Sequence, residues 1–369
     1  MKIVLTGGGT GGHLIPLVTV ASKIKEKVPD CDFLFIGPGG KMEREIMDRA
    51  GIRLKKVMAG KIRRYFSLQN FIDVFKIPIG IIQALFHLLA FMPDAIFSKG
   101  GYASLPVVLA GWVYRIPIMI HESDANPGLA NSVLAKFSKR VAVSYPQAEI
   151  YFPADQVVLT GNPVRDNIDK GSAEKARETF SLTELKKTIF VIGGSQGARF
   201  INSRIINILP KLLRKYQIIH QTGENNFEEV RHLVATEAGI KVGHGEEGYH
   251  PIPFIGDEIK DIFAVSDLVI SRAGANSISE IAANGKPAIF IPLENSANNH
   301  QRMNAYAIAK TGGCVVLEEN NLGEHMLLEK IEEIMDNDGL RTKLSQNIKA
   351  FYHADATERI ADGILGMIK

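Results

Sequence analysis

Two glycine-rich turns, each directly after an apolar run of strand length, most constrain the fold of this chain. The first run, KIVLT, leads into Gly7–Gly12, and the second, KTIFVI, leads into Gly193–Ala198. Glycine lets the backbone turn tightly and lets a ligand approach the amino end of the following helix. Fully apolar runs then alternate with helically spaced segments. The pattern predicts an α/β protein with two doubly wound, Rossmann-like domains facing a cleft.

The domain boundary is predicted where the composition changes. The segment LTGNPVRDNIDKGSAEKARE is rich in proline, glycine, asparagine and charge, and the apolar pattern restarts after it, with PFIG (253–256) among its strands. We therefore expect an amino-terminal domain at 1–162 and a carboxy-terminal domain at 163–353, with the linker near Gly161–Arg165. Residues 354–369 have helical spacing and can pack back on the first domain.

Composition and charge narrow the class of protein. Hydrophobic residues make up 46% of the 369 residues and charged residues 22%, which is typical of a soluble globular chain. A net charge of +3 without a long basic run argues against a nucleic-acid partner. Cys31 and Cys314 are expected to be small buried hydrophobes. The chain begins directly with a strand, so no cleavable signal peptide is expected.

Two alternatives to a sugar-transferring enzyme follow from the same features. Gly7, Gly9 and Gly12 satisfy the dinucleotide fingerprint, but a nicotinamide enzyme also needs an acidic residue at the end of its second strand. In DFLFIG the acid, Asp32, stands at the beginning, so an NAD-dependent oxidoreductase is disfavoured and no cofactor is predicted. A non-catalytic binder of sugars or nucleotide sugars is the other alternative, since two stacked domains also describe such proteins.

Polar residues that suit a nucleotide sugar follow the ends of the second set of strands. Ser195 stands where a helix begins, so its hydroxyl can cap the helix or meet a phosphate. Glu280 lies in the helix after SRAG, where it can accept both ribose hydroxyls or be a surface residue favoured by the helix dipole. The amide-rich loop 292–305 suits sugar hydroxyls, which both donate and accept, or is an ordinary polar loop.

Six motifs occur in an order that resembles one enzyme family across essentially the whole chain. They are GGGTGGHLIP, FSKGGYASLPVVLA, IHESDANPGLANSVLAKF, GNPVR, GGSQGA and SRAGANSISEIAANGKPAIFIPL. Together they resemble the bacterial peptidoglycan N-acetylglucosaminyltransferases, which make lipid II from lipid I. The resemblance implies a GT-B enzyme that moves GlcNAc from UDP-GlcNAc to the muramoyl C4 hydroxyl of lipid I, inverts the anomeric carbon and releases UDP. The nearest enzymatic alternative is a GT-B transferase with another acceptor.

The resemblance also implies a donor site. Ile255 would contact the uracil, Glu280 the ribose and Gln301 the GlcNAc hydroxyls. The whole UDP-GlcNAc set is Thr10, Gly11, Gly12, Arg165, Ser195, Ile255, Ala275, Asn276, Ser277, Ile278, Ser279, Glu280 and Gln301. One motif departs from the family pattern, because many members have His-Glu-Gln-Asn where this chain has His121-Glu122-Ser123-Asp124. Asp124 takes the place of the site asparagine, and Asn126 is a nearby substitute.

Inverting transfer needs a base for the acceptor hydroxyl and stabilisation of the leaving diphosphate. His13 is expected to be the base, with Glu122 as the rival and a purely orienting or helix-capping role for His13 as the third option. Arg165, Ser195 and the helix amino ends are expected to stabilise the diphosphate. No metal is predicted, because the Asp-x-Asp pairs at 30–32 and 336–338 do not follow strand ends and are expected to be turn and helix-end residues.

The segment FIDVFKIPIGIIQALFHLLAFMPDAIF is too interrupted by polar residues to span a membrane. It is either a buried helix of the first domain or an apolar patch that touches a bilayer. Lys56, Lys61, Arg63 and Arg64 precede it and would meet anionic headgroups. We therefore expect peripheral association with the cytoplasmic face of the inner membrane. The expected partners are lipid I and an anionic lipid surface. The loop Lys99–Pro106 is either the contact with lipid I or only a tight turn before a helix. The resemblance also allows a cell-wall synthesis complex as a partner.

Overall fold

The computed structural model describes residues 1–8, 11–60, 68–194, 197–236, 240, 248–294 and 296–368. The chain forms two compact units. The first consists of Met1–Arg165 together with His353–Lys369, and the second of Asp166–Tyr352. The structural division falls after Arg165, whereas the sequence placed it after Asn162. Arg165 therefore closes the first unit and does not open the second.

The first unit begins with alternating strands and helices. In chain order these are β1 (Lys2–Thr6), α1 (Gly11–Lys27), β2 (Asp32–Gly37), α2 (Lys41–Arg49), β3 (Arg53–Lys56), α3 (Leu68–Phe91), β4 (Ala95–Ser98), α4 (Leu105–Val113), β5 (Ile118–Glu122), α5 (Leu129–Leu134), β6 (Arg140–Val143) and β7 (Val157–Leu159). Within the described ranges, the strands form one parallel sheet in the order β3-β2-β1-β4-β5-β6-β7.

The second unit repeats this arrangement. Its elements are α6 (Ala173–Phe180), β8 (Lys187–Ile192), α7 (Arg199–Leu212), β9 (Tyr216–Gln221), α8 (Phe227–Thr236), β10 (Tyr249–Ile252), α9 (Ile259–Val265), β11 (Leu268–Ser271), α10 (Ala275–Ala283), β12 (Ala288–Phe290), α11 (His300–Ala309), β13 (Val315–Val316), α12 (Glu324–Met335) and α13 (Asp338–Lys349). The described strands form a parallel sheet in the order β10-β9-β8-β11-β12-β13. The chain ends with α14 (Ala356–Ile368).

The strand order of each sheet reverses beside its first strand. In the first unit β1 neighbours β4, and Thr6 pairs with Ser98 at their carboxyl ends. In the second unit β8 neighbours β11, and Ile192 pairs with Ser271. Parallel strands deliver their carboxyl ends to one edge, and ligands of such sheets bind where the order reverses. The loops that follow these four strands therefore leave each sheet side by side.

Each unit has its own apolar core. In the first unit Leu14 and Leu17 of α1 pack with Ile360 and Ile364 of α14, all fully buried against β1 and β2. The helical spacing of these residues puts them on one face, and each buried side chain of this size contributes about 1.5–3 kcal/mol. The second core lies mainly between β8, α7 and α12. The last helix therefore belongs to the first unit although it follows the second along the chain.

Three strand positions differ from the sequence prediction. Strands β3 and β7 carry no strong apolar run, because both lie at edges of the first sheet and have exposed residues. The edge strand of the second sheet that pairs with β9 is β10, Tyr249–Ile252. The predicted strand PFIG (253–256) instead lies in the loop after it. A proline is tolerated in β10 because this strand lies at the edge of its sheet.

Candidate active site

His13 lies in the first turn of α1, at the carboxyl edge of the first sheet. Its Nδ1 atom is 3.2 Å from the carbonyl oxygen of Gly8. A carbonyl oxygen only accepts hydrogen bonds, so this contact places a proton on Nδ1. In the neutral ring the lone pair is then on Nε2. His13 is therefore held in the tautomer that a general base acting through Nε2 requires.

Two glycine loops meet at His13. Gly101 has a φ of +83°, and a Cβ atom built on it would lie 3.1 Å from the Cα atom of Gly8 and 3.7 Å from Cε1 of His13. A Cβ on Gly8 would lie 2.9 Å from Nδ1 of His13. A larger residue at Gly8 would push the ring aside, and one at Gly101 would press on the backbone of Gly8. The adjacency of β1 and β4 explains why the loops after these two strands touch.

Glu122 ends β5 and is only 3% exposed. Its carboxylate accepts hydrogen bonds from the backbone N–H groups of Asp124 (2.9 Å) and Gly128 (3.1 Å) and from Nδ2 of Asn131 (2.9 Å). Burial and the charge of Asp124 raise the pKa of this carboxyl group to about 7, against the effect of the three donors. These bonds hold the loop that carries Asp124 and Asn126, both half-buried.

A continuous set of contacts leads from Glu122 to His13. Asn131, bound to Glu122, lies so close to Gly100 that a Cβ on this glycine would overlap the asparagine side chain. The next residue, Gly101, lies against His13. The arrangement favours His13 over Glu122 as the base, because the Glu122 carboxylate is already engaged by the loop. Glu122 is better suited to support the loops around the histidine.

The helix α10 provides the predicted ribose-binding segment of the second unit. Ala275, Ile278 and Ser279 are buried, while Asn276 and Ser277 are half-buried. The hydroxyl of Ser279 donates to the carbonyl oxygen of Ala275 across 2.8 Å. Glu280 is 7% exposed and lies in the second turn. It is therefore not an exposed surface residue, and its contact with the ribose stays a prediction.

The amide-rich loop is folded back on itself before α11. Asn298 and Asn299 both have left-handed backbone conformations, with φ of 56° and 53°. Oε1 of Gln301 accepts a hydrogen bond of 3.0 Å from the backbone N–H of Leu293. This bond fixes the side chain at the start of α11. The Nε2 group of Gln301 is then the part suited to donate to a sugar hydroxyl.

A largely buried ion pair joins the segments that follow β11 and β13, and hydrogen bonds connect the pair to the loop after β12. Arg272 contacts Oε1 of Glu319 at 2.5 Å and donates to the carbonyl oxygen of Ile291 at 3.0 Å. The second carboxylate oxygen of Glu319 accepts from the backbone N–H of Glu294 at 3.1 Å. Both side chains of the pair are 11% exposed. Hydrogen bonds satisfy both charges of the pair. The pair therefore fixes the segments after β11, β12 and β13 relative to one another.

The structure brings most of the predicted site residues to the carboxyl edges of the two sheets. At the carboxyl edge of the first sheet, Gly11, Gly12 and His13 lie in the first turn of α1, Glu122 ends β5, and Asp124 and Asn126 lie in the loop after it. Ile255, which is 3% exposed, the helix Ala275–Glu280 and Gln301 lie at the carboxyl edge of the second. Arg165 is half-buried at the end of the first unit. Thr10 and Ser195 lie outside the described residues.

The Asp-x-Asp pairs are engaged in other contacts. Asp32 forms an ion pair with Arg53 at 2.6 Å, and Asp336 accepts from the hydroxyl of Tyr216 at 2.9 Å. Asp338 pairs with Arg341 at 2.8 Å. In the part of the chain that the structure describes, no three or more His, Cys, Asp or Glu side chains are grouped to hold a metal. The absence of a metal requirement stays a prediction.

Four buried polar residues of the first unit form bonds that the sequence analysis did not predict, although it named Lys99 as the start of the loop 99–106 and His121 as part of a motif. They are Lys99, His121, Asn131 and Asn162, each at most 5% exposed. Lys99 carries the clearest signal in the sequence, since it is a charge between an apolar strand and two glycines. Its partners could not be found from the sequence because they follow other strands of the sheet. The same holds for Glu319 in the second unit.

Two parallel-sheet α/β domains with polar loops at their carboxyl edges are the architecture predicted for a GT-B glycosyltransferase. Residues 3–143 match the model of the glycosyltransferase family 28 N-terminal domain, and residues 188–360 match that of the family 28 C-terminal domain. The chain therefore belongs to glycosyltransferase family 28. This confirms the predicted enzyme class and the fold of two doubly wound α/β domains.

Individual relatives agree with this assignment. The chain is 36% identical, over 98% of its length, to UDP-N-acetylglucosamine--N-acetylmuramyl-(pentapeptide) pyrophosphoryl-undecaprenol N-acetylglucosamine transferase 2 of Bacillus cereus, 99% of which is covered. It is also 36% identical, over 98% of its length, to the transferase of Clostridium perfringens, 97% of which is covered. These matches confirm the family resemblance of the six motifs.

Solved structures give the same fold. The crystal structure of Acinetobacter baumannii MurG is 27% identical, with a TM-score of 0.76 over 99% of each chain. A UDP-GlcNAc 2-epimerase from Neisseria meningitidis, solved with UDP-GlcNAc, has a TM-score of 0.71 over 99% of this chain and 100% of its own. At 15% identity the epimerase shows the fold alone.

Proposed function

We propose that this protein transfers GlcNAc from UDP-GlcNAc to the C4 hydroxyl of the MurNAc of lipid I, with inversion at the anomeric carbon, giving lipid II and UDP. The observation that carries the proposal is the near-complete match to relatives whose names contain this donor and a muramyl-pentapeptide pyrophosphoryl-undecaprenol acceptor. The proposal is also supported by His13, which lies at the edge of the first sheet with its proton on Nδ1 and its lone pair on Nε2.

His13 is the proposed general base. Its Nε2 takes the proton of the C4 hydroxyl as the hydroxyl oxygen attacks the anomeric carbon. The new glycosidic bond forms while the bond from that carbon to the UDP oxygen breaks, so the electron pair leaves with UDP. A positioned base of this kind contributes about 10²–10⁴ in rate. The carbonyl of Gly8 orients the ring and stabilises the imidazolium that forms.

The second unit is proposed to hold the donor. Ile255 contacts the uracil, Glu280 accepts the ribose hydroxyls and Gln301 donates to those of GlcNAc. The burial of Glu280 and the fixed side chain of Gln301 support these roles. The amino end of α10 and Ser195 are proposed to donate to the diphosphate, and Arg165, which ends the first unit, keeps its predicted role toward the same group.

Ligand binding and turnover test the donor and acceptor parts separately. UDP and UDP-GlcNAc should raise the melting temperature and NAD should not, because only a ligand that binds the folded state stabilises it. Acceptor-dependent release of UDP would then exclude a protein that only binds nucleotide sugars. Undiminished transfer in excess chelator would support the absence of a metal requirement, and abolished transfer would refute it.

An apolar stripe on α3 supports a role at a membrane surface. Phe75, Ile79, Ile82, Phe86 and Leu89 recur at the spacing of one helix face, and each is at least 45% exposed. The opposite side of α3 packs on α4 and includes the buried Ala84 and Leu88. Because one face of α3 is exposed, the helix is not fully buried in the first domain. Within the described residues no helix is long and apolar enough to cross a bilayer.

We propose that this stripe docks the enzyme on the bilayer that holds its lipid acceptor, at the cytoplasmic face of the cell membrane. Exposed Lys55 and Lys56 lie beside α3, and each basic residue near an anionic surface contributes about 1 kcal/mol. Lys61, Arg63 and Arg64 lie outside the described residues. Trp112, 55% exposed at the end of α4, adds a side chain typical of membrane interfaces. Co-sedimentation with anionic vesicles at low salt tests this docking.

A further inference from the structure

Lys99 is a buried lysine that the mechanism above does not use. It follows β4 directly and is 1% exposed. Its Nζ atom donates to Nδ1 of His121 and, across 3.0 Å, to Oδ1 of Asn162. A buried ammonium without acceptors would be costly, so these two bonds are what stabilises it in this place. The side chain thus connects the end of β4 with β5 and with the segment that follows β7.

His121 has the tautomer that lets it accept from Lys99. Its Nε2 atom lies 3.0 Å from the carbonyl oxygen of Gly161, which only accepts, so the ring proton is on Nε2 and the lone pair on Nδ1. Burial lowers the pKa of His121 well below its ordinary value and keeps the ring neutral. Burial also lowers the pKa of Lys99 to about 7, while the charges of Glu122 and Asp124 oppose this shift.

Lys99 also belongs to the packing around His13. Its backbone N–H donates to the carbonyl oxygen of Thr6 across 2.9 Å. A Cβ atom built on Gly7 would lie 3.5 Å from the Cβ atoms of both His13 and Lys99. The residues after Lys99 are Gly100 and Gly101, the second of which lies against the His13 ring. A shift of Lys99 would therefore move the loop on which the ring rests.

We infer that Lys99 is a positioning residue for the transfer reaction, which fixes the loop around His13 through its bonds to His121 and Asn162. The inference rests on the proposed function of His13 as the base. At 1% exposure the ammonium does not meet a substrate, so it acts through the residues that it holds. A buried lysine that served stability alone could be replaced by an apolar residue of similar size without changing turnover.

A double-mutant cycle of K99M and N162L tests the inference, with kcat for a lipid I analogue and KM for UDP-GlcNAc measured on the full chain. We expect each single variant to lower kcat about tenfold or more, with KM within about twofold. The double variant should lose little more than K99M alone, because K99M already removes the bond to Asn162 together with the bond to His121. N162D keeps an oxygen toward Lys99 and should retain about half of the kcat or more.

The matched control is K286M. Lys286 is a half-buried lysine whose pKa burial lowers, and its Nζ donates to the carbonyl oxygen of Ala264 in the second unit across 3.1 Å. Its replacement should leave kcat within about twofold, since its hydrogen bond lies within the second unit and involves none of the residues that hold the loop around His13. A drop in kcat for K286M equal to that of K99M would show a general cost of losing a buried lysine and would overturn the inference.

Other outcomes are equally decisive. A folded K99M protein with unchanged kcat would overturn the inference, as would a raised KM with unchanged kcat or fully additive losses. If K99M does not fold, the two variants at Asn162 decide. A kcat that is low in N162L and close to the wild-type value in N162D supports the inference. Equal kcat values for N162L and N162D contradict it. If the wild type transfers GlcNAc and the K99M variant has the same kcat, only the role of Lys99 is refuted. No transfer by the wild type refutes the proposed function as well.

Discussion

Nδ1 of His13 faces the carbonyl oxygen of Gly8 across 3.2 Å, and this contact leaves the lone pair of the ring on Nε2. Catalytic histidines need an orienting partner, and here a backbone carbonyl in the glycine turn provides it. The turn thus does more than let a helix follow a strand closely. It sets the protonation of the residue that we propose as the base.

Replacing His13 by Ala should lower kcat by about two orders of magnitude or more, because a general base contributes on this scale. The rise in melting temperature caused by UDP should stay the same, since the proposed donor residues of the second unit are unchanged. H232A removes an exposed histidine of α8 and is the matched control. Near-normal turnover of a folded H13A protein would refute the assignment.

Glu122 should make stability depend on pH. Its pKa is raised to about 7 in the folded chain from 4.5, so the folded state binds more protons between these values. Its contribution to stability is fully present below pH 4.5 and is lost as the pH rises through about 7. The free energy of unfolding of the wild type, relative to E122Q, should therefore fall as the pH rises from 5 to 8. The slope can reach about 1.4 kcal/mol per pH unit.

Denaturant unfolding of both proteins at several pH values measures this difference. The charged groups that bear on Glu122 are Asp124 in its own loop and Lys99 after the neighbouring strand. A difference that stays constant, or that grows with pH, would show that Glu122 is ionised in the folded chain at low pH. The three donors around the carboxylate would then outweigh its burial.

Replacing Glu319 by Gln should weaken use of the donor. The variant leaves Arg272 without its carboxylate and loosens the loop that carries Gln301, so we expect KM for UDP-GlcNAc to rise about tenfold, equivalent to about 1.4 kcal/mol. Steady-state kinetics on UDP-GlcNAc measures it. E333Q breaks an exposed pair with Lys330, and exposed pairs are worth little. Equal KM values for E319Q and E333Q would refute the role of this pair.

Charges placed on the α3 stripe should release the protein from vesicles. I82E and F86E put carboxylates on a surface that we propose to lie among anionic headgroups, so the vesicle-bound fraction should drop severalfold for the pair of substitutions. L185E is the control, because Leu185 is 95% exposed in the second unit. Vesicle binding of the I82E/F86E protein at the wild-type level would refute the role of the stripe in membrane docking.

The sequence predicted the features that local signals determine. Strand β1, the glycine turn and α1 lie next to each other along the chain, and their periodicity and turn residues suffice to place them. Strands β3 and β7 escaped prediction because edge strands need no continuous apolar run. PFIG was misplaced because a short apolar run fits a loop as well as a strand, and only Ile255 of this run is buried.

The supporting contacts of the site depend on tertiary structure and could not be read from local patterns. Lys99 and Asn162 are 63 residues apart, and Arg272 and Glu319 are 47 apart. Only the strand order brings each pair together. The sequence therefore predicted which residues would meet a ligand, through motifs and a family resemblance. It did not indicate which residues hold them in position.

The most direct test of the account is UDP release from UDP-GlcNAc with and without a lipid I analogue, while chromatography follows the lipid product. We predict that UDP release depends on the acceptor and that the lipid gains one GlcNAc residue. UDP-GlcNAc that protects the protein against heat, without any release of UDP in the presence of the analogue, would contradict the proposed transfer and leave a protein that only binds the donor or uses another acceptor.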